Sequence, residues 1–164
     1  MTNLTANVMR PVRLPPGGLQ FRKLPLAGYT NFGGGSTAFT VYKGAVVFCD
    51  VNDTDGYFRD GDSAVTYASS DVFGGIAIES QSVTSSDTAD GSKYVTVAVN
   101  GEWGFPIASL AITDIGAVIY AADDNAVQSS TSDALAIGIL VDVDATYAWI
   151  DITGYAGRVS STTT

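Results

Sequence analysis

From Ala38 onward, apolar and polar residues alternate over short runs, and clusters of turn-forming residues separate the runs. The clearest run is Lys93–Val99. Val95, Val97 and Val99 fall on one face there, and Tyr94, Thr96 and Ala98 on the other. The same reading predicts strands at Phe39–Tyr42, Ala45–Cys49, Ala64–Ala68, Gly75–Glu79, Lys93–Val99, Ala117–Ala121, Leu135–Val141 and Thr146–Ile152. Turn signals lie between them: Asp55 with Gly56, Asp60 with Gly61, Asp90 with Gly91, Asn100 with Gly101, and the run Asp123, Asp124 and Asn125. Only Ile107–Ile115 hints at a helical turn. About eight short strands at this spacing predict an all-β domain, a small barrel or sandwich.

Residues 1–37 read differently. Pro11, Pro15, Pro16 and Pro25 oppose helix and favour extended backbone, and Gly17–Gly18 and Gly33–Gly35 punctuate the segment. Leu14, Leu19, Phe21, Leu24, Leu26, Tyr29 and Phe32 are too many large apolar groups for a flexible linker. The segment is therefore expected as an extended arm that packs either on its own body or on a partner subunit. The organisation predicted is an arm over 1–37, a β-domain over 38–157 and a polar tail over 158–164.

The body also carries an internal duplication. Gly44, Ala45, Val46, Val47 and Phe48 match Gly116, Ala117, Val118, Ile119 and Tyr120. Gly75–Ile78 matches Gly138–Val141, and the alternating strand from Tyr94 matches the one from Tyr147. The spacing between matches shrinks from 72 to 63 to 53 residues, so the second half has shorter loops. Two related β-meanders closing on each other would build one domain.

Charge sharpens the division. The net charge is −9, yet residues 1–43 hold Arg10, Arg13, Arg22, Lys23 and Lys43 and no acid. The remainder holds Arg59, Lys93 and Arg158 against all 17 acids. Nucleic acid is not the expected partner of so acidic a chain, because phosphate binding needs a basic face. No apolar run reaches the roughly 18 residues a membrane helix needs, and no apolar stretch of signal-peptide kind follows Arg10 and Arg13. The single Cys49 rules out an internal disulfide and fits synthesis in a reducing compartment.

Candidate chemistry is sparse. With no histidine, the commonest general base and the Ser-His and Cys-His pairs are absent, and one cysteine cannot build a structural zinc site. Gly33–Ser36 lacks the lysine of a phosphate loop. The acidic stretch Asp50–Gly56 fails as a calcium loop. In the frame from Asp50 the sixth place is Asp55, and in the frame from Val51 the first ligand is valine. Paired carboxylates remain as the only catalytic option: Asp123 with Asp124, Asp142 with Asp144, and Glu79 with Glu102. Acids in turns are ordinarily solvated, so no enzyme, metal or cofactor is expected. The aromatics Trp103, Phe105, Tyr147, Trp149 and Tyr155 suit core or cross-strand positions, a protein interface or a sugar platform. Trp103, Phe105 and Pro106 are the expected subunit contact.

The order of elements over residues 44–157 resembles the head decoration, or cement, proteins of tailed phages. The resemblance runs through the strand after Gly44, the turn at Gly61 and Asp62, the strand Gly75–Ala77, and the stretch Val95–Gly101. It continues through the strand after Gly116, then Ile137–Leu140 and a closing alternating strand. It implies a small β-barrel or β-tulip-like domain without cofactors, often trimeric, that binds the outer surface of the capsid. On that footing the major capsid protein is the expected partner. The expected docking residues are Arg10, Arg13, Leu14, Phe21, Arg22, Lys23 and Leu24. Another virion component (head fibre base, tail or baseplate part) and a carbohydrate-binding module are the alternative readings.

Overall fold

The computed structural model describes residues 4–31, 36–51, 56–61, 67–68, 70–107, 109–129 and 135–157. Among these residues the chain is all-β. The strands are β1 (Val12–Arg13), β2 (Phe21–Pro25), β3 (Phe39–Val41), β4 (Val46–Cys49), β5 (Phe58–Asp60), β6 (Val72–Ala77), β7 (Gln81–Val83), β8 (Tyr94–Ala98), β9 (Glu102–Pro106), β10 (Val118–Ala121), β11 (Val127–Gln128), β12 (Ala136–Val143) and β13 (Tyr147–Asp151). The only helical element among them is a 3-10 turn, Ile112–Asp114, inside the stretch where a helical turn was expected. Of the expected strands, Gly75–Glu79 starts earlier, at Val72, and Ala64–Ala68 lies mostly outside the described residues. The 158–164 tail lies outside them entirely. Strands β1, β2, β5, β7, β9 and β11 were not expected.

Six strands form one antiparallel sheet in the order β1-β9-β13-β12-β10-β11, and five form a second in the order β2-β8-β6-β4-β5; β3 and β7 make a separate ribbon. At one end the two edge strands of the five-stranded sheet are joined by a single parallel bridge, Leu26 to Phe58. One apolar cluster lies between the two sheets, uniting Val46, Phe48 and Ile76 with Phe105, Ile137 and Ile150. A second lies on the other side of the five-stranded sheet, where Leu24, Val47 and Val97 meet Phe39, Val41 and Val83 of the ribbon. Strand β4 is consequently buried along its whole length, which explains its unbroken apolar sequence through Cys49.

The internal duplication is real in the hydrogen bonding. Read from one edge, β5-β4-β6-β8-β2 and β11-β10-β12-β13-β9 are the same arrangement. Val47 pairs with Gly75 as Ile119 pairs with Gly138, and the register slips immediately afterward in both sheets. The Gly44 N–H donates to the Ala77 carbonyl at 2.8 Å, and the Gly116 N–H to the Leu140 carbonyl at 2.8 Å. Ile76 faces Ala98 and Ala77 faces Val97, as Ile139 faces Asp151 and Leu140 faces Ile150. At Gly75 and Gly138 a Cβ would strike the backbone oxygen of the next strand, Ala98 or Asp151, so only glycine fits. The spacing shrinks from 72 to 63 because the connection from β4 to β6 is longer than that from β10 to β12, and from 63 to 53 because the 78–93 connection, which carries β7, is matched by a short turn over 144–146. The equivalence extends to strands the sequence did not reveal. Phe21 faces Ala98 as Glu102 faces Asp151, and Pro25 faces Tyr94 as Pro106 faces Tyr147.

That pairing corrects the expected separation of an arm over 1–37. The segment is extended, but β2 is a full member of the five-stranded sheet, and Leu24, Leu26 and Ala27 are buried. Of the two destinations left open for its apolar groups, the body takes Leu24 and Leu26. The boundary at 37/38 does not separate two bodies among the described residues.

Candidate docking surface

The N-terminal segment is tied down by polar contacts at every few residues. The Leu4 N–H donates to the Asp124 carboxylate at 3.0 and 3.3 Å. The Lys43 N–H donates to Asn7 Oδ1 at 2.9 Å, and the Val8 N–H to the Lys43 carbonyl at 2.9 Å. Arg10 then turns inward. Its Nε donates to the Gly44 carbonyl, and its Nη2 to the Asn125 carbonyl at 3.3 Å and Asn125 Oδ1 at 3.0 Å. Burial lowers the Arg10 guanidinium to about 10, although the nearby Asp124 and Asp123 pull it back up. It therefore stays charged at neutral pH. Next, β1 pairs with β9, and Arg13 lies 3.9 Å from the centre of the Trp149 ring while bonding Asp142 at 2.8 Å. A turn closed by the Gly18 N–H on the Pro15 carbonyl reverses the chain into β2. Asn100 pins the entry, accepting the Gln20 N–H at 2.7 Å and donating to the Gly18 carbonyl at 3.1 Å.

These contacts sort the expected docking residues. Leu14 is 69% exposed and Phe21 53%; Arg22 and Lys23 are exposed beside Phe21. Arg13 is exposed but held by Asp142 and Glu102. Arg10 and Leu24 are buried in their own chain, and this corrects their assignment to a docking face. Arg10 is consumed by backbone carbonyls, and Leu24 points into the apolar cluster behind β2. The expected subunit contact at Trp103, Phe105 and Pro106 is corrected for the same reason. Strand β9 turns Trp103 and Phe105 into the core, at 5% and 0% exposure, and leaves Pro106 exposed at its end. The Trp103 indole N–H is satisfied internally by the Asn100 carbonyl at 3.0 Å.

Sequence reasoning missed Met9, which is 78% exposed. Met9 and Phe21 stand over a groove of ≈ 240 Å³ lined by Val8, Val12, Leu19 and Ile78, with Lys43 at its rim. No local pattern marks it, because it forms where the N-terminal segment crosses from one sheet to the other. A second set of exposed apolar side chains, Ile107, Ile112, Ile115 and Val118, lies on the β9–β10 connection and the start of β10.

The carboxylates weighed for catalysis all have structural uses. The Asp123 carboxylate accepts the Asn125 and Ala126 N–H groups at 2.7 and 2.6 Å. Asp144 accepts the Thr146 and Tyr147 N–H groups and the Trp149 indole N–H at 2.7 Å, and these bonds, the indole first, hold it below the usual carboxylate range. Glu79 accepts the Thr96 N–H at 2.8 Å, and Glu102 sits 3.5 Å from Arg13. Burial, then Asp123, Asp124 and Asp60, pushes the Tyr67 phenol well above its ordinary value, and its hydroxyl donates to the Gly61 carbonyl. Among the described residues no group of three His, Cys, Asp or Glu side chains could share a metal ion. The calcium-loop positions 52–55 and the glycines 33–35 lie outside those residues. Arg13 covers one face of the Trp149 ring, and the residue as a whole is buried. Comparison of the chain with protein-family models, with curated proteins and with solved structures returns no match.

Proposed function

We propose that this protein is a non-catalytic structural component of a tailed-phage virion that binds the outer surface of the capsid and stabilises or decorates it. The observation that carries this reading is the surface where exposed Met9 and Phe21 line one groove together with Lys43, with exposed Lys23 on the same face of β2 as Phe21. It is an apolar and basic surface on a chain whose other charges are overwhelmingly acidic. Single exposed apolar residues are ordinary, but several around one groove mark a contact surface. The order of β-elements that resembles head decoration proteins supports the same reading. In this reading the partner is the major capsid protein. Basic groups speed encounter with an acidic shell, and apolar groups supply contact that salt does not weaken. The isoleucine-rich set at Ile107, Ile112 and Ile115 serves self-association, with a trimer favoured, and many symmetric copies add avidity.

The test is co-sedimentation of the purified chain with undecorated phage shells, followed by electron microscopy of decorated heads. Saturable binding on the shell exterior is the expected result. Absence of binding to shells and absence of the chain from purified virions would overturn the proposal.

A further inference from the structure

We infer that the β2 edge at Phe21 and Lys23 is an acceptor site for one extended strand of a partner polypeptide, laid antiparallel, with an apolar residue opposite Phe21 and an acidic one opposite Lys23. The assignment of that strand to a shell subunit rests on the capsid reading above. The edge itself rests on the sheet geometry.

Among the described residues, strand β2 has a partner on one side only over most of its length. The Val99 N–H donates to the Gln20 carbonyl, and the Leu26 N–H to the Lys93 carbonyl. The even-numbered residues of β2 thus direct their backbone groups toward β8, and by the alternation of an antiparallel ladder the odd-numbered ones direct theirs away. Ala27 follows this rule, because its outward N–H donates to Phe58 of β5. Among the described residues, β5 pairs no further along the edge than the Leu26 bridge. The N–H and C=O groups of Phe21 and Lys23 are left facing outward, on residues that are themselves exposed. Pro25, the next residue with that orientation, has no N–H to leave unmet.

The second half of the molecule shows what such an edge takes. There the equivalent strand is β9, with Glu102 in the place of Phe21 and Gly104 in the place of Lys23. That edge is covered by an extended antiparallel segment, β1, in which Arg13 faces Glu102 and Val12 faces Trp103. The Gly104 N–H, equivalent to the outward N–H of Lys23, donates to the Pro11 carbonyl at 2.9 Å. The covering strand also matches its edge in charge, with Arg13 3.5 Å from Glu102. In the first half the charge is reversed, because Arg22 and Lys23 follow Phe21. A covering strand of the same geometry therefore carries an acid where β1 carries Pro11, and an apolar side chain where β1 carries Arg13. The apolar groove at Met9 and Phe21 adjoins this edge. Strand addition of this kind draws affinity from backbone bonds and selectivity from alternate side chains.

The experiment uses the full chain, labelled with nitrogen-15, and the blocked peptide Ser-Thr-Glu-Thr-Leu-Thr-Ser as probe. Saturable shifts at the Phe21 and Lys23 amides are expected, with their hydrogen exchange slowed about tenfold or more. Lys23→Pro removes the outward N–H and leaves the β8 ladder intact, as Pro25 already does at its own position, and should abolish the response. Lys23→Gln keeps the N–H and should weaken binding only about threefold. A peptide with Lys in place of Glu should bind more weakly than the original. No shift at these two amides at millimolar peptide, or equal binding by Lys23→Pro, overturns the inference. Shell binding by a chain whose edge ignores the peptide sinks the edge and spares the capsid reading. A responsive edge on a chain that ignores shells does the reverse.

Discussion

The guanidinium of Arg10 lies 4.0 Å from the centre of the Phe105 ring, and Phe105 is fully buried in the cluster between the two sheets. A charged group is thus used as a lid on the apolar core. It is tolerable there because its N–H groups meet the Gly44 carbonyl and both oxygens of Asn125. The same contacts fasten the N-terminal segment to loops from each half of the duplication, before Val46 and after Ala121.

Arg10→Ala should therefore act on folding. Removing the guanidinium strands the Gly44 and Asn125 acceptors and uncovers Phe105, at a cost of about 3 kcal/mol. Denaturant unfolding should show a lower midpoint with unchanged slope. Arg10→Lys should recover less than half, because an ammonium cannot reproduce the planar fork. A midpoint unchanged by Arg10→Ala would show that the lid contributes nothing.

A chain beginning at Ala38 loses β1 and β2 together. It exposes the β8 edge and the apolar faces that Leu24 and Leu26 cover. The expected outcome is aggregation or a melting temperature lower by more than about 10 °C, read by size-exclusion chromatography and circular dichroism. A monodisperse truncated chain with the full-length melting temperature would reduce residues 4–31 to an appendage.

How much of this could be read from residues alone depended on what each strand needs. Strands β4, β8, β12 and β13 are buried on one or both faces, so their apolar runs announce them. The duplication was legible because Gly75 and Gly138 mark the same close approach of backbones. Strands β2 and β9 were not legible. Phe21–Pro25 holds two cations and a proline, and Glu102–Pro106 holds a glycine and a proline. Pro25 is harmless only because its missing N–H would face the open edge, which is knowable once β8 is placed beside it. Missing β9 also cost the facing of Trp103 and Phe105. Nothing in the sequence near Arg10 signals burial, since its partners at 124 and 125 lie more than a hundred residues away.

Equivalent glycines should answer alike. Gly75→Ala and Gly138→Ala each drive a methyl into a neighbouring backbone oxygen and should each cost about 2 kcal/mol or more. Gly154→Ala, at φ +81° with open space around it, should cost about 1 kcal/mol from backbone strain alone. Urea unfolding of the three variants checks the ranking. A Gly138 variant milder than the Gly154 one would contradict the close approach.

Acid should release the β12–β13 turn. Asp144 is held below the usual carboxylate range by the Trp149 indole and two backbone N–H groups. A depressed carboxylate stabilises the fold above its unfolded value of about 3.9, and that contribution fades as pH falls through the folded value. Asp144→Asn should accordingly melt lower than wild type by a constant margin between pH 7 and about 5. The margin should narrow as pH falls below about 3.9, where the wild-type carboxylate begins to take up protons. A margin that persists undiminished at pH 3 would mean that the charge of Asp144 is not its source.

The contact with the shell should divide into two parts that separate experimentally. Met9 and Phe21 are exposed apolar side chains beside one groove, and burying them on a partner is worth roughly 25 cal/mol per Å². Met9→Ser with Phe21→Ser should therefore weaken shell binding about tenfold or more at every ionic strength. Neither side chain belongs to the core, so the melting temperature should move by no more than about 2 °C. Arg22→Gln with Lys23→Gln should act otherwise, lowering affinity at low salt and leaving it nearly unchanged at about 0.5 M, where charges at the surface are screened. Arg10 and Leu24 serve as controls, because substitutions there should change binding only as far as they unfold the chain. If both double variants bind undecorated shells like wild type, the N-terminal flank is not the docking surface. The contact then moves to the remaining exposed apolar set, at Ile107, Ile112 and Ile115.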